Sequence, residues 1–354
     1  MSNDSNSSAK SSEPVESAKH PADEGAGRVR QLAAGQAAAT TGSRMQEFPL
    51  PIPGAKPTGI VVGSDGNVWF ALENLPASPA PTQCSIGRLN PLTNGISTFA
   101  YPDPKGAQSL LQAEDGHVWV AGLSGVVYRF DPRSASFLPI PVPDGGLLTE
   151  LALGPDGSVW CAANGTGLLH QINQTSLAVR SWLLPAAGKP QSLTVGPDNA
   201  LWYTLSSANR IGRLAPDTGG FQSRDLPFAG NPARIASGPS GLWVSSTAGN
   251  WIGDIAPGNE GVMRISLASG SAPIGVTVSD NSVLWYCASG TNRIGRIDAE
   301  SNQPSEWTLP TANSSPYAIA TRSDSEAWCS AANSKTIVHL TTGSTPSKNS
   351  PQKP

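Results

Sequence analysis

Charge is scarce in this sequence. Asp, Glu, Lys and Arg make up 14% of its 354 residues, and the formal net charge is −3. With no basic stripe to neutralise phosphates, a nucleic-acid partner is not expected. Apolar runs long enough to cross a bilayer are missing, and no stretch near the N-terminus reads as a signal-peptide core, so neither a membrane span nor a cleavable export signal is expected. Cysteine is rare too: Cys84, Cys161, Cys287 and Cys329 show no CxxC spacing, which argues against a thiolate zinc site. Three of them lie in apolar runs beside a Trp and read as buried free thiols, which suits a reducing compartment. The chain is therefore expected to be cytoplasmic and monomeric, or secreted by a route that uses no cleavable signal.

Turn formers and tryptophan are plentiful instead: 37 Gly, 32 Pro and 10 Trp against 5 Tyr. Without a collagen period, that composition predicts many short strands joined by turns. Residues 1–44 are rich in Ser, Ala, Gly and Lys and poor in large apolar side chains, so they are expected to be disordered, with a transient helix over Arg28–Ala39. Residues 344–354 form a second polar tail.

Between the tails one unit recurs. An apolar strand runs into a tight turn, then an apolar residue and a Trp follow. The turn reads GSDG at 63–66, AEDG at 113–116, GPDG at 154–157, GPDN at 196–199 and GPSG at 238–241. The tryptophans are Trp69, Trp119, Trp160, Trp202, Trp243, Trp285 and Trp328, at spacings of 50, 41, 42, 41, 42 and 43. An insertion over Asn74–Gln83 lengthens the first interval. A third strand carries Ile-Gly-Arg or its remnant, as in Ile86-Gly87-Arg88, Ile211-Gly212-Arg213 and Ile294-Gly295-Arg296, and a fourth ends near Leu-Pro. Seven four-stranded units over 45–343 predict an all-β, seven-bladed propeller. The strand at 46–50 resembles a fourth strand and is expected to complete the seventh blade, closing the ring without a covalent bond.

The repeat, best seen in GPDNALWYTLSSANRIGRL at 196–214 and SVLWYCASGTNRIGRI at 282–297, resembles the streptogramin B lyase (virginiamycin B lyase) family over all seven units. The resemblance implies a carbon–oxygen lyase that opens a cyclic depsipeptide antibiotic by elimination. A base removes a proton next to a carbonyl that a magnesium ion polarises. It also implies a His after Pro in the sixth unit, a Glu-Pro-His run in the seventh, and a Glu four residues past the seventh Trp. Those positions here hold Ile274, then Ser315-Pro316-Tyr317, then Ala332. The lyase chemistry is therefore expected to be lost, and no cofactor is expected; magnesium would be required only by an active lyase. His20, His117, His170 and His339 lie elsewhere and are not expected to supply the base.

Equivalent positions at the start of the innermost strands predict a ring around the central opening: Thr58, Gln108, Thr149, Gln191, Ala233, Ile274 and Tyr317. A second ring holds Gly59, Ser109, Glu150, Ser192, Arg234, Gly275 and Ala318. Candidate ligand-binding residues are Thr58, Gln108, Thr149, Glu150, Gln191, Arg234 and Tyr317. Glu150 and Arg234 are the only charges in these rings; a salt bridge or simple solvation is expected ahead of their bracketing a ligand. The mouth suits a neutral or amphipathic small molecule, or a protein on the propeller face. One Glu is too few for a calcium-dependent gluconolactonase, and WD40 repeats are not expected: Trp-Asp pairs are missing and Gly-His occurs once, at 116–117. A binding propeller without lyase activity is the leading expectation. An active lyase with a rearranged site, and a secreted bacterial effector whose Ser-rich N-terminus directs export, stand as alternatives.

Overall fold

A computed structural model describes residues 42–343, except 75–84, 104, 186–187, 240, 257–260 and 299–301. The two tails (residues 42–44 apart), the Arg28–Ala39 run, nearly all of the Asn74–Gln83 insertion and Cys84 lie outside the described residues. The rest is a seven-bladed propeller of four-stranded antiparallel sheets. In blade 1 the strands run from the inside outward as Ala55–Val62, Val68–Asn74, Ser85–Asn90 and Gly95–Ala100. Blades 2 to 6 begin with Ala107–Gln112, Leu148–Leu153, Pro190–Val195, Pro232–Gly238 and Pro273–Val278. No helix among the described residues is long and apolar enough to cross a membrane.

Blade 7 joins the two ends of the described chain. Pro316–Ser323, Glu326–Ala331 and Thr336–Thr341 supply its first three strands, and Arg44–Pro49 supplies the fourth. The register sets Arg44 against Thr341 and Pro49 against Thr336. The expected closure is thus present, with the strand beginning two residues earlier than the sequence indicated.

The hydrophobic core is divided among seven seams. Trp69 packs with Ala107, Leu110 and Phe130 of blade 2, Trp119 with Leu148 and Val159 of blade 3, and so on around the ring to Trp328, which packs with Ala55 and Phe70 of blade 1. Each ladder Trp is a wedge between its own blade and the next, and deletion of such a buried ring typically costs about 3–5 kcal/mol. Fourth-strand aromatics add to the wedge: Trp69–Phe99, Trp160–Trp182, Trp285–Trp307 and Trp328–Phe48 have ring centroids 5.8–5.9 Å apart.

The local geometry also accounts for the repeat's other letters. The turn Asp accepts the indole N–H, at 3.3 Å for Asp65 and Trp69 and 2.9 Å for Asp198 and Trp202. The Arg of Ile-Gly-Arg lies across from that Trp, so Arg213 also reaches Asp198 at 2.7 Å. The motif's Gly makes room for an aromatic on the neighbouring strand: a Cβ on Gly87, Gly212 or Gly295 would sit 2.0–2.1 Å from the ring of Phe70, Tyr203 or Tyr286. In blades 2 and 3 the second strand carries a smaller residue and the third a larger one instead, while in blade 5 the Trp251 ring fills the space beside Gly253. Val120 faces Tyr128, and Cys161 faces His170. Volume is conserved across the pair, as close packing requires.

Candidate functional site at the mouth of the central opening

Every first strand shifts register at the same place, directly after Pro57, Ala107, Leu148, Pro190, Pro232, Pro273 and Pro316. Such a bulge leaves a residue unpaired and re-aims side chains. Proline is tolerated here because Pro190, Pro232, Pro273 and Pro316 each open a strand, where the N–H can be forgone, and Pro57 lies at the bulge itself. The residues that follow are Thr58, Gln108, Thr149, Gln191, Ala233, Ile274 and Tyr317, the ring expected from the sequence.

These residues divide into two roles. In blades 1 and 3 the residue two past the ladder Trp is Ala71 or Ala162, and the bulge Thr donates across the seam. Thr58 Oγ1 reaches the Ala107 carbonyl at 2.7 Å, and Thr149 Oγ1 reaches the Pro190 carbonyl at 3.3 Å. In blades 4, 5 and 7 the residue two past the Trp is itself a hydroxyl and makes the equivalent bond. Thr204 donates to Ala233 O at 3.1 Å, Ser245 to Ile274 O at 2.6 Å and Ser330 to Thr58 O at 2.6 Å. As ligand contacts, Thr58 and Thr149 are therefore poorly placed: both are buried, and their hydroxyls are turned into the seams. The sequence reading missed Thr204, Ser245 and Ser330. The available signal was partial complementarity: a hydroxyl follows the Trp in blades 4, 5 and 7, where the bulge residue is not Thr, whereas blades 2 and 6 carry Ala121 and Cys287 at that position.

The other role belongs to side chains that meet across the opening. Arg234 of blade 5 forms an ion pair with Glu150 of blade 3 through Nη1 and Oε2. Its Nη2 lies 3.5 Å from the Tyr317 hydroxyl, and its guanidinium lies 5.7 Å from the centre of that ring. Gln108 of blade 2 donates to the same Tyr317 oxygen from Nε2. Glu150 also accepts from Ser109 Oγ at 2.6 Å and Ser192 Oγ at 3.4 Å. Both serine oxygens are in turn fixed by backbone N–H groups, those of Leu151 at 3.3 Å and Ile235 at 3.2 Å. Blades 2, 3, 4, 5 and 7 thus contribute to one network. Glu150 and Arg234 are paired with each other, the salt bridge that the sequence reading allowed, and do not stand apart to bracket a ligand. Gln191 stands beside this network, with its Oε1 accepting from Asn164 Nδ2 at 3.2 Å.

At the remaining positions, Ile274 is a half-buried apolar member of the ring. Ser315 and Ser289 share a hydroxyl contact of 3.1 Å, and Ala332 donates its N–H to the Ser315 carbonyl at 3.1 Å. The histidines lie away from the mouth. His117 pairs with Asp115 at 2.9 Å on a turn. His170 is buried against Ser181 at 2.9 Å, and burial lowers its pKa to about 4. His339 stacks on Trp328 with centroids 3.9 Å apart and reaches Glu326 at 2.9 Å. His20 lies outside the described residues. Among the described residues, no three His, Cys, Asp or Glu side chains gather as a metal-binding group. A cavity of about 500 Å³ between blades 3 and 4 is lined by turn residues such as Asp156, Asp198 and Asp217, at the far end of the first strands from the mouth. Within it Arg213 pairs with Asp198, the neutral Gln171 donates to Asp156, and Arg180 lies over the Trp182 ring.

Comparison with known proteins gives one consistent neighbourhood. The profile of the Virginiamycin B lyase family matches residues 94–349, more than half of the chain. A streptogramin B lyase structure is 28% identical with a TM-score of 0.76, covering 86% of this chain and 100% of that one. A virginiamycin B lyase from Staphylococcus aureus is 25% identical with a TM-score of 0.75, covering 85% and 100%. A catalytically inactive variant of the Staphylococcus aureus enzyme, solved with quinupristin, matches to the same extent. Kuenenia stuttgartiensis hydrazine synthase, 15% identical at a TM-score of 0.71, shares the fold alone. No curated protein sequence matches significantly.

Proposed function

The chain belongs to the virginiamycin B lyase family, and on that footing we propose that it is a binding propeller in which the family's elimination chemistry has been replaced by a pre-formed recognition surface. One observation carries the reading: the single carboxylate of the mouth rings, Glu150, is committed to Arg234, Ser109 and Ser192. A general base must be free to take a proton at hydrogen-bond distance. Glu150 is neutralised by a guanidinium, and Ile274, Ser315, Tyr317 and Ala332 carry no side chain that serves as a base near neutral pH.

Magnesium, which the family's reaction uses, does not fit these residues. A hard divalent cation takes about six oxygen ligands in near-octahedral geometry, usually including carboxylates. Around the mouth the carboxylate oxygens are already engaged, and a fixed guanidinium sits where an ion would need negative charge. The surface offers instead amide and hydroxyl groups from Gln108, Gln191 and Tyr317 on one side and the apolar Ile274 on the other. It matches a neutral, amide-bearing or amphipathic ligand, or a protein segment of that character.

The test is incubation of the purified protein with quinupristin, with and without magnesium, followed by chromatography and mass spectrometry. Binding without ring opening supports this reading, and it should weaken on Tyr317→Ala. Magnesium-dependent opening at ordinary enzyme rates favours the second reading, an active carbon–oxygen lyase with a rearranged site, for which family membership is the supporting observation.

A further inference from the structure

The seam between blades 6 and 7 departs from its two neighbours, which are joined by the Ser245 and Ser330 hydroxyls. Two residues past the ladder Trp, where Thr204, Ser245 and Ser330 send a hydroxyl to the next blade, blade 6 carries Cys287. Its thiol meets the thiol of Cys329 in blade 7, one residue past Trp328, with the sulfurs 3.4 Å apart. Both side chains are fully buried. Cys161, by contrast, lies in blade 3 and faces His170. A thiol is a weak donor, so this seam has a sulfur–sulfur contact where its neighbours have a hydroxyl–carbonyl bond.

We propose that Cys287 and Cys329 are a disulfide-forming pair that staples blade 6 to blade 7 when the chain folds in the presence of a small-molecule disulfide. The chemistry is two thiol–disulfide exchanges with glutathione disulfide. One cysteine thiolate attacks a glutathione sulfur, giving a mixed disulfide and releasing one glutathione thiolate. The second cysteine then displaces the other glutathione. One S–S bond breaks, one forms, and the two protein protons end on two glutathione thiols. The step belongs to folding rather than to the finished ring. In the closed seam, burial first, and then the bond with Cys329, push the Cys287 thiol well above its ordinary pKa, so thiolate is scarce and no reagent has a path. Before blade 7 docks, both thiols are exposed. Once it docks, the same burial shields the new bond from reduction. The bridge spans 42 residues of chain, a loop long enough for the constraint on the unfolded state to matter.

The experiment refolds the reduced full-length chain from urea in two buffers, one with reduced glutathione alone and one with glutathione and glutathione disulfide. Free thiols are then alkylated and peptides mapped. The expected result in the second buffer is a Cys287–Cys329 cross-linked peptide with Cys84 and Cys161 alkylated, and a Tm roughly 5 °C above that of the reduced protein. Cys287→Ser, which restores the hydroxyl of the other seams, should fold and show no Tm difference between the buffers. Free Cys287 and Cys329 after oxidative refolding, or a bridge involving Cys84 or Cys161 instead, would overturn the proposal. If refolding yields are low, synthesis of the chain in an oxidising cell-free extract provides the same peptide map.

Discussion

Arg234 of blade 5 and Glu150 of blade 3 meet as an ion pair across the central opening, skipping the blade between them. Blade 4 nevertheless takes part, because its Ser192 donates to the same carboxylate. The side chains are 9% and 19% exposed, so neither charge is well solvated on its own. Removing one member leaves the other stranded, whereas removing both leaves a neutral mouth.

Arg234→Met is therefore expected to destabilise the fold by about 2–3 kcal/mol, Glu150→Gln by less, and the double variant by less than Arg234→Met alone. Urea unfolding of all four proteins gives the coupling energy. Strict additivity would show that the pair contributes nothing to the ring.

Gly212→Ala should cost about 1–3 kcal/mol or more, since the new methyl lands on the Tyr203 ring. The second change Tyr203→Val, which places the residue of Val244 in blade 5 opposite the new methyl, removes the ring it strikes and should recover part of that loss. Thermal unfolding of the single and double variants checks it. A harmless Gly212→Ala would remove close approach as the reason for the Gly in the repeat.

Stability should fall on mild acidification because of His170. Burial lowers its folded pKa to about 4 from 6.5. A histidine depressed in this way binds more protons in the unfolded chain between those values, so its contribution is complete above pH 6.5 and is lost as pH falls toward 4. The amount at stake is up to roughly 3 kcal/mol. His170→Gln should flatten the Tm profile between pH 6.5 and 4. An unchanged slope would assign the effect to other groups.

Ser330→Ala removes the hydroxyl that joins blades 7 and 1. It strands the Thr58 carbonyl, held at 2.6 Å, and the Ala318 N–H, held at 3.0 Å. An expected loss of about 1–3 kcal/mol follows from two buried polar groups without partners. Hydrogen exchange should locate the weakening at that seam, with Ala318 losing protection first.

The propeller was legible because its evidence is additive: seven tryptophans at near-regular spacing, five with the tight turn and three with an intact Ile-Gly-Arg, state one architecture repeatedly. The ring of bulge residues was legible for the same reason. What individual ring members do was not. Thr58 and Gln108 occupy equivalent positions, yet one donates into a seam and the other reaches Tyr317. Both are followed thirteen positions later by Ala, Ala71 and Ala121, so the difference lies in the side chain itself and in Tyr317, the partner Gln108 meets 209 positions away. The Arg234–Glu150 contact spans 84 positions and required the ring to be closed before the two ends could be placed together. Cys287 and Cys329 read singly as buried thiols; only the offset of one position between adjacent blades brings their sulfurs together.

The closure strand has a consequence for orientation. First and third strands both run away from the mouth, so Thr341, at the end of a third strand, and Arg44, at the start of a fourth, lie together on the far side. The chain enters and leaves the propeller by the back door. A tether joined directly before Arg44 or directly after Thr341 would start behind the ring, on the side opposite the mouth.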